Sequence, residues 1–158
     1  MIITHASATK IDEVKDSVHY APFFKGCLFF GNEDNDYNLA GRCNFQYNLD
    51  VNNVIRASRF FYEHDTDENA VQDVFNMMRD DFGIDVDDSE LADLLDGTTN
   101  ISEYEHSYED DGQANWAIQQ FQGILAHKLG YDCAESFDEQ GTVYIAYCVN
   151  REMQEVEC

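Results

Sequence analysis

Three short segments of this chain carry side chains suited to chemistry on the ribose of a dinucleotide. Thr4-His5-Ala6-Ser7 closes an opening apolar stretch, and Leu28-Phe29-Phe30-Gly31 leads through an acidic run to Tyr37. Asp138-Glu139-Gln140-Gly141 turns directly into Thr142-Val143-Tyr144-Ile145-Ala146-Tyr147, which alternates with the period of a strand. Breaking the glycosidic bond at the nicotinamide end of NAD passes through a cation-like state on the ribose. A carboxylate both stabilises that charge and grips the ribose hydroxyls. Asp138 and Glu139 are the candidates. Neighbours on an extended chain point to opposite sides, so only one of the two faces a cleft, and Glu139 has the longer reach. His5 and Ser7 offer hydrogen bonds to a ribose or phosphate oxygen. Phe30 and Tyr37 offer aromatic faces to stack on nicotinamide or adenine. Taken singly, each segment also has an ordinary structural reading as a His beside a strand, a core Phe or a solvated hairpin.

Other chemistries find less support. The chain has no G-x-S-x-G elbow, no Gly-rich phosphate loop after a strand and no C-x-x-C pair, so nucleophilic, kinase-type and zinc sites are not expected. Asp85-Val86-Asp87-Asp88-Ser89 has the look of a calcium loop. Glu90 stands where such a loop needs Gly, and Leu91, Leu94 and Leu95 continue as a helical stripe, so a capped helix is the better account. No metal is expected.

These residues have to be held by a fold, and 158 residues with 44% apolar content suit a single domain over 1–158. Strands are predicted at Met1–Thr4, Cys27–Phe30 and Cys43–Leu49, with short pieces at 54–55 and 60–62. Helical periodicity follows from Asp67 to Phe82, through Val71, Val74, Phe75 and Met78. Asp87-Asp88-Ser89-Glu90 reads as a capping box for a second helix ending near Gly97, and a third runs from Gln113 to Lys128. Between them, 100–112 reads as an exposed acidic loop. Strands near 131–136 and 142–149 close the chain. Strands, then helices, then strands argue α+β.

The formal net charge is -23, from 32 acidic and nine basic residues. Such a surface repels nucleic acid and anionic membranes and is drawn to basic protein surfaces, including those that hold nucleic acid. The phosphates of NAD then need local donors, for which Lys10, Lys25 and Arg42 are the candidates. With no leader-like start and no apolar run of spanning length, a cytoplasmic protein is expected.

In the order of Ile3-Thr4-His5-Ala6-Ser7, Leu28-Phe29-Phe30 with Tyr37, and Gly130-Tyr131-Asp132 with Asp138-Glu139-Gln140-Gly141-Thr142, the chain resembles the small phage-encoded anti-CRISPR ADP-ribosyltransferases that inactivate the type I-F surveillance complex. The block Phe60-Phe61-Tyr62-Glu63-His64 and Trp116 fall in matching order. The resemblance implies a split β-sheet core around an NAD cleft with a helical middle segment. It also implies transfer of one ADP-ribose unit to the subunit of a host CRISPR surveillance complex that reads the target's PAM, in the host cell's cytoplasm. It places His5 and Tyr37 on NAD-contacting positions and the Asp138-Glu139 turn on the catalytic acidic position. The segment between Phe30 and Tyr37 is longer than the family pattern. The charge alone supports a different function, a non-enzymatic DNA mimic that fills a basic groove.

Overall fold

The computed structural model describes residues 1–15, 22–32, 44–61, 67–138 and 141–157. Among these residues seven strands form two antiparallel-dominated sheets, with three α-helices between the fourth strand and the fifth. The first sheet has the order β1-β3-β7, from β1 (Ile2–Ser7), β3 (Phe45–Asp50) and β7 (Gln154–Val156). The second has the order β2-β6-β5-β4, from β2 (Cys27–Phe30), β6 (Gly141–Tyr147), β5 (Cys133–Asp138) and β4 (Val54–Arg56). Only the β4–β5 pair is parallel.

The backbone ladders of the two sheets join at Thr4 and Gly31. Thr4 and Gly31 exchange backbone hydrogen bonds of 2.8 and 2.9 Å, and β1 then leaves β2 as it runs on through His5. The result is the split sheet that the resemblance implies, with its opening where β1 and β2 diverge.

The helices form because their ends are capped and one stripe is apolar. The Asp67 side chain accepts from the backbone N–H groups of Asn69 and Ala70 at the start of α1 (Glu68–Phe82). Asp87 and Glu90 make the capping box of α2 (Asp88–Asp96), which Gly97 ends in the left-handed conformation. That settles the acidic run around Asp87 as a helix start. Asp110 caps α3 (Asp111–Lys128). Val74, Met78 and Phe82 of α1, Leu91 and Leu95 of α2 and Phe121 and Leu125 of α3 are buried against Ala134, Val143 and Ile145 of the second sheet. On the sheet's other face Leu28, Phe30, Tyr144 and Ala146 close a smaller core with Ile3 and Leu49 of the first sheet.

Two expectations change. The aromatic block at 60–62 adds no strand over its described residues: a 3-10 turn (Ala57–Arg59) delivers Phe60, fully buried, and Phe61 into the helical core, where Phe61 meets Phe75 at 6.3 Å. The segment 100–112 is acidic but tied down. Ile101 is buried, the Ser107 N–H donates to the Phe82 carbonyl, and the Tyr108 hydroxyl donates to Asp81.

Candidate active site

The seam between the sheets fixes His5. At Thr4 the backbone ladder to Gly31 is intact; one residue on, the strands have parted and a side chain takes over the role of the ladder. The His5 Nδ1 donates to the Phe29 carbonyl at 2.7 Å. That assigns the proton to Nδ1 and leaves Nε2 as an acceptor. Burial pushes the imidazole pKa below its ordinary value, partly offset by the bond to Phe29, so the ring is neutral at pH 7. The ring lies 5.7 Å from that of Phe30.

The other predicted residues separate. Ser7 ends β1 with its hydroxyl spent locally, donating to the Thr9 carbonyl at 2.6 Å and accepting from the Thr9 N–H at 3.2 Å. Phe30 is 0% exposed and wedged in the inter-sheet core, so it presents no face to a ligand. Its neighbour Phe29 alternates to the opposite face, where it packs, partly buried, against the helical core. Tyr37 and Glu139 lie outside the described residues. Asp138 ends β5 directly opposite Gly141 of β6, so the acidic turn joins two adjacent strands. Of the cations proposed for the phosphates, Lys25 is engaged elsewhere: its Nζ pairs with Asp81 at 2.8 Å and sits 5.4 Å from the centre of the Phe121 ring. Lys10 is exposed near the end of β1, and Arg42 falls outside the described residues.

Register brings together polar residues that sequence reading missed. Arg56 opposes Glu135, and Glu135 opposes Tyr144, so the three lie in a row across β4, β5 and β6. The Arg56 Nε donates to Glu135 Oε2 at 3.2 Å, the Tyr144 hydroxyl donates to Glu135 Oε1 at 3.5 Å, and Asn32 Nδ2 donates to the Tyr144 oxygen at 3.0 Å. The row runs from the outer edge of the second sheet to the end of β2, next to the seam. Strand alternation marks Glu135 and Tyr144 individually; only the register shows them as partners.

A family model for the anti-CRISPR type I-F ADP-ribosyltransferase AcrIF11 matches residues 3–156. The chain belongs to this family. It is therefore an NAD-dependent ADP-ribosyltransferase with anti-CRISPR function, directed at a CRISPR-related target, and NAD is its substrate. A solved structure described as the crystal structure of an anti-CRISPR protein is 23% identical, covers 99% of this chain and 95% of its own, and superposes with a TM-score of 0.60, which shows the shared fold. No curated protein matches.

Among the described residues no group of three His, Cys, Asp or Glu side chains could hold a metal ion. Cys27, Cys133 and Cys148 are buried free thiols. Burial pushes Cys133 and Cys148 up to about 12 and Cys27 well above its ordinary range, which leaves them as core packing rather than nucleophiles.

Proposed function

We propose that this protein transfers one ADP-ribose from NAD to the PAM-recognising subunit of a type I CRISPR surveillance complex in the host cytoplasm, with the β5–β6 turn supplying the catalytic carboxylate. The observation that carries this reading is the family match over 3–156 together with the place of the acidic turn at the start of β6, the strand that pairs with β2. Glu139 is the first choice for the carboxylate and Asp138 the second.

In this reading NAD lies along the seam. The ring of Tyr37 stacks on the nicotinamide, and His5 Nε2 accepts from a ribose hydroxyl. Neutral His5 suits that task, because a second N–H would have no lone pair to give. The bond between ribose C1′ and the nicotinamide nitrogen breaks with its electron pair leaving on nicotinamide, whose positive charge is thereby cancelled. The carboxylate stabilises the cationic ribose until a nucleophile of the acceptor protein attacks C1′ and gives up its proton. The Arg56–Glu135–Tyr144–Asn32 row stiffens the sheet behind the turn.

Nicotinamide release and label transfer from NAD, measured separately for His5→Ala, Phe29→Ala, Asp138→Ala and Glu139→Ala, test the assignment. Loss of both activities in one carboxylate variant, with a raised KM for NAD in the His5 variant and little change in the Phe29 variant, is expected. Full activity in both carboxylate variants would remove the turn from the chemistry. The charge of -23 favours a second reading, in which the protein blocks its target stoichiometrically as a DNA mimic; inhibition that needs no NAD would identify it.

A further inference from the structure

The β5–β6 hairpin has a second flank. A cavity of ≈ 900 Å³ opens between the hairpin and α3, and its lining includes Phe137 and Thr142, which bracket the acidic turn, but no residue of β1 or β2. It is therefore separate from the seam that holds His5, and it reaches the residues that flank the acidic turn.

The chemistry of the lining selects its occupant. Among the described residues that line it the one cation is Arg56, paired with Glu135, while Asp96 and Glu135 contribute negative charge. A pyrophosphate entering here would meet Asp96 and Glu135 and, among the described lining residues, a single guanidinium already shared with Glu135, so the charge of the lining does not favour the dinucleotide. N–H donors do suit it. Gln122 is 4% exposed, its Nε2 donates to the Leu95 carbonyl at 2.8 Å, and its Oε1 has no partner among the described residues. Buried acceptors are normally met, and this one lacks a donor. Asn115 and Gln119 add further amides. Two aromatic side chains stand at the opening with surface to spare: Trp116 is 49% exposed and Phe137 79%. Exposed aromatics around a polar pocket are the usual anchors of a polypeptide contact.

We propose that this cavity binds a segment of the acceptor protein through a basic or amide side chain, holding it against the β5–β6 turn from the flank opposite NAD. The inference rests on the proposed role of the turn carboxylates. The overall negative charge favours the same occupant, since an acceptor that handles nucleic acid presents basic segments.

Trp116→Ala and Gln122→Met, each checked for an unchanged circular dichroism spectrum, separate the two substrates. The KM for purified type I-F surveillance complex should rise about tenfold or more, the loss of one good contact, while the KM for NAD and the rate of NAD hydrolysis by water stay within twofold of wild type. A parallel rise in the KM for NAD would mean that the cavity holds the dinucleotide, and unchanged constants for both substrates would mean that it holds neither; either result overturns the proposal. Trp116 is the only tryptophan in the chain, so its emission gives a readout that needs no catalysis. Acetyl-Gly-Arg-Gly-amide should shift that emission in wild type and less in Gln122→Met, and a flat titration would count against the site. If the wild-type protein neither hydrolyses nor transfers from NAD, the catalytic reading falls by itself, and the peptide titration still decides the cavity.

Discussion

His5 carries its proton on the nitrogen that faces Phe29, and the surrounding burial resists a second one. The unfolded chain feels no such resistance, so on acidification it takes up a proton near the ordinary histidine pKa that the folded protein refuses. Stability contributed by the neutral ring is present above that pKa and falls as the pH drops through it. Wild type should therefore lose stability relative to His5→Asn between pH 7.5 and 5.5 in paired thermal melts. His127, whose pKa is also lowered by burial, then by Arg151 and Lys128, is common to both proteins and cancels in the difference. At the turn, Glu139→Gln or Asp138→Asn should cut nicotinamide release by on the order of 10²–10³, the scale for losing one preorganised electrostatic contact, with the other variant much less affected. The placement of His5 on a strand and of Asp138 where one strand leads into the next was legible in the sequence, because polar residues there close a strand or start one. Adjacent aromatics were not: Phe29 and Phe30 are chemically alike, and only the packing shows that Phe30 is sealed between the sheets while Phe29 turns to the helical core. Glu135 and Tyr144 went unread because their meaning lies in cross-strand register.

At the scale of elements, α3 seats the second sheet by two devices. Gln120 is fully buried and bonds like a piece of strand: its Oε1 accepts from the N–H groups of Lys25 and Cys27, each at 3.0 Å, and its Nε2 donates to the Cys27 carbonyl at 3.0 Å. Gln120→Leu should cost several kcal/mol, about 1–3 for each group left unmet, read from the denaturant midpoint. Gly123 gives the sheet room. A Cβ there would come within 2.6 Å of the Cys27 sulfur and 2.7 Å of an Ile145 methyl carbon. Gly123→Ala should destabilise by about 1–3 kcal/mol from overpacking, against the ~1 kcal/mol that alanine gains in a helix. Long periodic helices with acidic caps were plain in the sequence, and so was strand β2. Strand β7 was not, because Gln154, Glu155 and Val156 form a short and largely exposed edge whose only signal is its pairing with β3. The tethering of 100–112 was hidden for a related reason: a polar loop is held here by a few buried residues, Ile101 foremost, whose anchoring role depends on the helices they meet.

For the whole molecule, charge and catalysis act at different distances. Half of the chain's Asp and Glu residues lie between Asp67 and Asp111, with Arg79 as the single Lys or Arg among them, and that cation is bound to Asp88 at 2.7 Å and to the Val86 carbonyl at 3.1 Å. The helical side is thus an acidic body attached to the split-sheet core. Such a field speeds encounter with a basic partner and is screened beyond about 8 Å at physiological ionic strength. Transfer to the surveillance complex should accordingly slow as salt rises from 50 to 300 mM, mainly through kcat/KM for the complex, while NAD hydrolysis without acceptor changes little. Equal salt sensitivity of both would take the acidic body out of partner recognition. The central claim is that acidity delivers the enzyme and NAD chemistry does the inhibiting. Intact-mass spectrometry of a purified type I-F surveillance complex, incubated with a trace of this protein with and without NAD, tests it most directly. The account predicts one added ADP-ribose on one subunit, only with NAD and with far less enzyme than target. An unmodified complex that is nonetheless inhibited, one protein per complex and without NAD, would contradict it.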